Sequence, residues 1–374
     1  MTLERALELA REVGFDLAGV APLRPPRDVA HFDAWLAAGQ HAGLEYLERN
    51  AERIRDPRRV LPRGKSILVV GLAQSRAAVE LDGGGRVARY AAGRDYHNVV
   101  TKMLRKLRRR FVDAGLIAKE HHSRAVVDAG PLLERSHAAE AGLGFASKAA
   151  NLLHPRFGPW FFLGELLVDI ELEPTPAVAA GSCGTCTACI DACPTQAIVG
   201  PGRVDANLCI SYHTIESRGP APHDLRAQIA SWAYGCDVCS EVCPWGRVAP
   251  DTSERYGTHR EVESGSLVGW LSRREESAWS VAFEASSVRR AGRAGLARNA
   301  AIALASARSE EGQAALLNAL SFDPSSVVRD AAAWSLLYGY SGGAAVKPAV
   351  ERAAAAEPDQ RAREAMQRSL ERLA

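Results

Sequence analysis

Outside one short stretch the chain has no cysteine. All eight lie between Cys183 and Cys243 of 374 residues, so no disulfide framework staples the rest, and thiols this concentrated read as metal ligands kept reduced. Net charge is nearly absent as well: 46 Lys and Arg against 44 Asp and Glu leave +2. Contact with a polyanion must therefore come from a local basic face rather than from the overall field. Long apolar runs are missing; Ser66–Ala73 is among the longest and is far short of the ~20 residues that span a bilayer, so no membrane partner is expected. The opening MTLERALELAREVGF carries acids inside its apolar pattern and has no apolar signal core, which makes it a helix and the protein cytoplasmic. The glycine-rich LDGGGR at 81–86 lacks both the G-x-G-x-x-G and the Walker lysine of nucleotide loops, so residues 78–89 are expected to be a surface loop.

What the cysteine stretch does contain is a spacing. CGTCTACIDACP sets Cys183, Cys186, Cys189 and Cys193 at C-x2-C-x2-C-x3-C-P, the run that bacterial ferredoxins use for a [4Fe-4S] cluster. CDVCSEVCP then supplies Cys236, Cys239 and Cys243, with Cys209 standing alone upstream. In two-cluster ferredoxins the last cysteine of each run ligates the other cluster. Cys183, Cys186, Cys189 and Cys243 are thus expected around one cluster, and Cys193, Cys209, Cys236 and Cys239 around the second. Zinc knuckles use isolated C-x2-C pairs rather than this even run with a partial copy behind it. Trp232, Tyr234 and Trp245 are expected to pack over the clusters or the cofactor rather than on the surface.

Upstream, helical periodicity over 2–13 and apolar strands near 15–22 and 66–72 start an α/β domain. Arg94, Asp95, Tyr96 and His97 crowd a helix start, and helix 98–113 turns Val99, Met103, Leu104, Leu107 and Phe111 inward. Its other face shows Lys102, Arg105, Lys106, Arg108, Arg109 and Arg110 with no acid among them, enough to suggest phosphate contact. A strand over 121–128 ends in Asp128, ahead of a helix with Pro131 in its first turn and Gly142 at its end. That puts a carboxylate at the usual ligand edge of an α/β sheet. Phe161–Leu172 reads as a further core strand after a hairpin at 156–159, and Leu225–Trp232 as a short inserted helix. Beyond residue 262 the chain turns to Ala, Leu, Arg and Ser, and units around Arg298, Arg329 and Arg363 can be overlaid at offsets of 31 and 34 residues. Asp323-Pro and Glu357-Pro head two of them, as in HEAT-like two-helix repeats that must stack to bury a core. The arginines of this tail are expected to offer a docking face for a polyanion. The division is therefore an α/β domain over 1–178, a ferredoxin-like two-cluster domain over 179–250, and an all-α HEAT-like repeat domain over 251–374.

The cysteine region together with YAAGRDYH at 90–97, VDAGPLLER at 127–135 and CPWGR at 243–247 closely resembles the epoxyqueuosine reductases, over essentially the whole chain. The resemblance implies a cytoplasmic, monomeric oxidoreductase of queuosine biosynthesis. Such an enzyme binds cobalamin in the α/β domain, feeds it through two [4Fe-4S] clusters from a low-potential donor such as flavodoxin or ferredoxin, and reduces epoxyqueuosine in the anticodon stem-loop of a queuosine-family tRNA. It further implies that Asp128 is the proton donor and that Arg135, Tyr96, His97, Lys148 and Trp245 border the cofactor. Burial would have to raise the Asp128 pKa for that role. The chain departs from the family pattern at Ser147 and Ala149, where G-K-N is usual around Lys148, and at His213, where leucine is usual. A reductive dehalogenase shares the corrinoid and cluster parts but would carry an export leader and no such tail. A noncatalytic electron carrier would need neither the α/β part nor Asp128.

Overall fold

Ser66–Ala73 has no polar alternation, and all eight of its residues are buried. A strand with no wet face belongs inside a sheet, and there the computed structural model, which describes residues 3–176, 181–343 and 345–373, places it. The expected boundary at 178 lies outside these residues. Packing groups the chain into two compact units that are not consecutive in sequence. The first takes Met1–Arg76, Asp95–Asn207 and Val238–Tyr256; the second takes Ala77–Arg94, Leu208–Asp237 and Gly257–Ala374. The expected boundary at 250 falls inside the first of these units rather than between the two. Among the described residues no helix is long and apolar enough to cross a membrane.

In the first unit, α1 (Leu3–Val13) leads to β1 (Leu17–Pro22), β2 (Ser66–Ala73), α2 (Tyr96–Asp113), β3 (Ser123–Val126), α3 (Glu134–Glu140) and β4 (Phe161–Val168). The strands form one sheet in the order β1-β2-β4-β3, antiparallel throughout. The unit is mixed α/β, but Asp128 does not stand at a ligand edge in the expected sense, because that rule belongs to parallel sheets. Alternation sorts the sheet faces. Gly164 faces α2, where a methyl group would stand 2.7 Å from Val100. Its neighbour Glu165 points the other way, to His137 of α3.

α2 buries Val100, Leu104, Leu107 and Phe111, a stripe in which Val100 replaces the expected Val99 and Met103 is half-buried. Each such side chain contributes about 1.5–3 kcal/mol. β3 stops at Val126 and α3 begins at Glu134, so neither does the strand reach Asp128 nor does Pro131 enter the helix. The hairpin before β4 does form, with His154 bridged to Gly158, although β4 ends at Val168.

The second unit overturns the expected loop at 78–89. Val79–Leu81 and Gly85–Val87 pair as an antiparallel hairpin, whose turn holds Gly83 and Gly84 at φ +87° and +80°, conformations cheap only for glycine. Trp232–Tyr234 adds a parallel strand. Of the helix expected over 225–232, only Arg226–Ile229 is α-helical, because Ala230 at φ 47° breaks it. Trp232 lies under the Arg86 guanidinium, Tyr234 donates to the Ser287 carbonyl at 2.7 Å, and both are buried.

Helices α4 (Gly292–Ala307), α5 (Glu310–Phe322), α6 (Ser326–Gly339), α7 (Val346–Ala356) and α8 (Gln360–Leu373) complete it. The arginines that mark the sequence units are ties between these helices. Arg329 bonds the Asp323 carbonyl at 2.7 Å and Arg363 the Glu357 carbonyl at 2.8 Å, six residues back in each case. The Glu357 carboxylate takes Arg329 from the unit before, at 2.6 Å. Arg298 is 1% exposed and donates to the carbonyls of His213, Ser217 and Gly219; burial, with the charges of Arg226 and Arg218, pushes its pKa down to about 10. These three arginines are taken up inside the unit, whereas Arg308, Arg352, Arg361 and Arg368 are exposed.

Candidate active site

Asp95 caps α2, accepting the His97 amide at 3.0 Å and the His97 Nδ1 at 2.8 Å with the same oxygen. The cap sets Tyr96 and His97 in the first turn, their rings stacked at 4.1 Å. Tyr96 also stacks on Phe162 of β4 at 4.2 Å, with 2° between the planes. Both first-turn residues reach one atom: Asp128 Oδ2 accepts from the Tyr96 hydroxyl at 2.7 Å and lies 3.1 Å from His97 Nε2.

Asp128 arrives there from a turn rather than from a strand end. Its φ is 54°, a left-handed conformation costing about 1–2 kcal/mol for a residue with a side chain. Gly130 folds back so closely that a Cβ there would sit 2.0 Å from Val126. The Asp128 amide donates to both oxygens of Glu134, at 3.0 and 3.1 Å. Its side chain is 61% exposed, although the protein packed around it weakens its hydration.

The expected rise of the Asp128 pKa is reversed. Burial does act to raise it, but hydrogen bonds from His97 and Tyr96, with the charges of His97 and Arg135, outweigh that and hold the carboxyl below its ordinary range. For His97, burial is outweighed by the Asp128 and Asp95 bonds, and its pKa rises to about 9. At neutral pH the shared proton therefore sits on the imidazole. Behind this pair lies a second, buried one: His137 and Glu165, 1% and 0% exposed, meet at 3.0 Å. Burial would lower the His137 pKa, yet the Glu165 charge and hydrogen bond, aided by Glu140, raise it. Glu134 is pushed well above the carboxylate range by burial and by the charges of Glu165 and Asp128.

The loop 147–151 ties this site to the cysteines. Ser147 Oγ accepts the amides of Ala149 and Asn151 at 3.2 and 3.0 Å, which closes the turn with Ala150 at φ 61°. Arg135 donates to the Ala150 carbonyl at 3.1 Å. From the same loop, Lys148 Nζ donates to the Gly184 and Cys186 carbonyls at 2.8 and 2.9 Å. The Asn151 amide donates to Ser240 Oγ at 3.3 Å and lies 4.0 Å from Cys239 Sγ. Ser147, Ala149 and Asn151 line a cleft with Cys183, Cys186, Cys189, Cys239, Cys243 and Trp245. Trp245 meets Phe145 edge to face at 5.3 Å. Burial, with neighbouring thiols adding, raises the Cys189 pKa, a crowding that a cluster would relieve by binding thiolates. Cys193 Sγ accepts the Ala197 amide at 3.3 Å. Cys209 caps the helix Ile210–Ile215, and His213 of that helix is buried beside Tyr212. Tyr96, His97, Asp128, Glu134 and Arg135 are brought together. Lys148 and Trp245 instead meet the cysteine cleft, at the far side of the loop.

Sequence reasoning passed over Glu134, His137, Glu165 and Asn151. A signal was available for one of them: Glu165 is the single charge within FFLGELLV, and a carboxylate in an otherwise apolar core strand needs a partner.

Comparison with known proteins follows the same outline. Residues 182–246 match a family model described as a 4Fe-4S double cluster binding domain, and residues 55–129 match one described as epoxyqueuosine reductase QueG, DUF1730. The epoxyqueuosine reductase of Xanthomonas campestris pv. campestris is 37% identical over 340 residues, 89% of this chain and 94% of the relative. That of Pseudomonas aeruginosa is 36% identical over 336 residues, 87% and 91% of the two chains. Among solved structures, an epoxyqueuosine reductase with a tRNA-Tyr epoxyqueuosine-modified stem loop superposes with a TM-score of 0.86 at 28% identity, covering 98% of this chain and 97% of that one. The Bacillus subtilis enzyme, with its aspartate-bearing catalytic loop swung out of the active site, gives 0.85 at 27%, covering 99% and 98%.

Proposed function

Because the chain belongs to the epoxyqueuosine reductase family of oxidoreductases, we propose that it reduces epoxyqueuosine at the tRNA wobble position to queuosine, with Asp128 delivering a proton. The carrying observation is that one loop, 147–151, touches both the acid site through Arg135 and the cysteine cleft through Lys148 and Asn151. Removing the epoxide oxygen as water, leaving an alkene, takes two electrons and two protons. Electrons have a route in at the cysteines and protons at Asp128.

Two [4Fe-4S] clusters would be held by Cys183, Cys186, Cys189 and Cys243, and by Cys193, Cys209, Cys236 and Cys239. The small side chains of Ser147 and Ala149 face the cysteine cleft and leave room there for the first cluster, and cobalamin is bordered in this reading by Arg135, Tyr96 and His97 on the acid side of the loop and by Trp245 on the other. When bound, the corrinoid supplies low-valent cobalt that reconciles one-electron clusters with a two-electron reduction. Lys148 braces the first cysteine run. His97 keeps the proton until substrate covers the exposed Asp128 carboxylate; loss of water then favours the neutral acid, which protonates the departing oxygen. Functionally, 1–178 carries the chemistry, 179–250 the electrons and 251–374 a HEAT-like scaffold.

The tRNA backbone is proposed to lie on α2, on a corrected set of cations. Lys102, Arg105, Lys106 and Arg109 are exposed. Arg110 pairs with Glu12 at 3.0 Å, and Arg108 is spent on Ser123 Oγ at 2.7 Å and on two carbonyls. A cytoplasmic monomer drawing electrons from flavodoxin or ferredoxin completes the reading. Its test is anaerobic reconstitution of the full chain. About eight irons and eight sulfides per chain, with cobalamin-dependent conversion of epoxyqueuosine in a stem-loop RNA read by nucleoside mass spectrometry, are expected. Full cluster and cobalamin loading without conversion would overturn it.

A further inference from the structure

Tyr96 and His97 hold the Asp128 carboxylate, but neither fixes the backbone beneath it. That backbone is left-handed, φ 54°, and a residue with a side chain stays there only when its surroundings hold it. The holding contact comes from the opposite side, where the Asp128 N–H points between the two oxygens of Glu134 at 3.0 and 3.1 Å. Glu134 itself stands on rigid ground. It opens α3, whose residues 136–139 are all buried, and α3 is tied to the central strand through the His137–Glu165 pair at 3.0 Å. Residues 127–133, between β3 and α3, have no regular structure of their own.

We propose that Glu134 is a positioning residue for Asp128: by accepting its amide, the Glu134 carboxyl holds the left-handed turn closed and keeps the Asp128 carboxylate within reach of Tyr96 and His97. The catalytic consequence rests on the reading of Asp128 as proton donor, whereas the positional claim does not. The contact requires an acceptor oxygen rather than a charge. Burial, with the charges of Glu165 and Asp128, pushes the Glu134 carboxyl well above the usual range, and a neutral acid still accepts through its carbonyl oxygen. Glutamine offers a carbonyl oxygen at the same reach. Alanine offers none.

His97 reports where the Asp128 carboxylate is, since that carboxylate supports the raised imidazole pKa of about 9. On the full-length, cluster-loaded protein, the pH dependence of diethyl pyrocarbonate modification at His97, read by peptide mass spectrometry, measures it without substrate or turnover. Glu134→Ala is expected to weaken His97 proton affinity about tenfold, one pKa unit, as Asp128→Asn does, while Glu134→Gln keeps the wild-type midpoint. Mere destabilisation would lower the melting temperature without moving the midpoint. An unmoved midpoint in Glu134→Ala, or a shift in Glu134→Gln as large as in Asp128→Asn, overturns the proposal. If the alanine variant does not fold, Glu134→Ser, too short to reach the amide, replaces it with the same expectations and the same overturning result. Single-turnover conversion on the same variants separates the two claims. Full conversion by Asp128→Asn removes the catalytic reading and leaves the positional one to the His97 midpoints.

Discussion

His97 and Asp128 of the first unit meet at 3.1 Å with side chains 37% and 61% exposed, whereas Arg226 and Asp330 of the second meet with 2% and 1% exposed. Each pairs a carboxylate with a cation, and water decides what the pair can do. The open pair contributes little to stability, but its proton can move between partners whose affinities the site has set apart. The closed pair is sealed from water. Two charge-assisted hydrogen bonds, at 3.1 and 2.5 Å, instead fix one arrangement of the helices. Arg293 with Asp323 and Arg329 with Glu357 repeat the second kind. The open pair thus keeps its charges available for chemistry, and the closed pairs use theirs for architecture.

The largest effect should come from breaking a closed pair. Asp330→Ala leaves Arg226 buried without its counter-charge and should cost about 3–5 kcal/mol of stability in denaturant titration. Replacing both partners together, with Arg226→Met and Asp330→Leu, should recover most of that stability. A cost under about 1 kcal/mol for the single variant would place this pair with the exposed one. Asp128→Asn, by contrast, should change stability by about 1 kcal/mol or less, the range of an exposed pair.

Dependence on pH sharpens the comparison further. The His97 pKa is raised to about 9, so its contribution to stability is fully present below its ordinary value of ~6.5 and is lost as pH climbs through 9. The Asp128 pKa is lowered, so its contribution is present above the ordinary carboxylate value and is lost as pH falls through the depressed one. Wild-type stability should therefore fall more steeply across pH 8–10 than that of Asp128→Asn. Parallel curves would show that the pair is not formed in solution.

The smallest expected effect is on RNA affinity. Changing Lys102, Arg105, Lys106 and Arg109 to Gln should lower the log–log salt slope of stem-loop binding by roughly 0.7–0.9 for each phosphate no longer neutralised, with iron content unchanged. An unaltered slope would make α2 a merely solvated face.

Much of this was legible because some chemistry writes itself as spacing. The cysteine runs, the strand at 66–73 and the helix at 96–113 follow from local pattern alone. Contacts made across the chain do not. Nothing in VDAGPLLER tells that Glu134 turns back to the Asp128 amide, and nothing in helix 96–113 tells that Arg108 is spent on the turn before β3 while Arg109 is not. The tail arginines could not be sorted for the same reason. Periodicity located Arg298 and Arg329, but whether an arginine faces solvent or a neighbouring carbonyl is settled by packing. LDGGGR misled, since consecutive glycines mark a loop and a tight hairpin turn equally well.

The central claim is that Asp128 delivers the proton that lets the epoxide oxygen leave, and single-turnover conversion of epoxyqueuosine in a stem-loop RNA by chemically reduced, fully loaded enzyme tests it without interference from electron supply. Asp128→Asn, nearly isosteric and with clusters, cobalamin and RNA binding intact, should convert ~10²–10⁴-fold more slowly than wild type, the usual size of a general-acid contribution. Conversion within a few-fold of wild type would contradict the account.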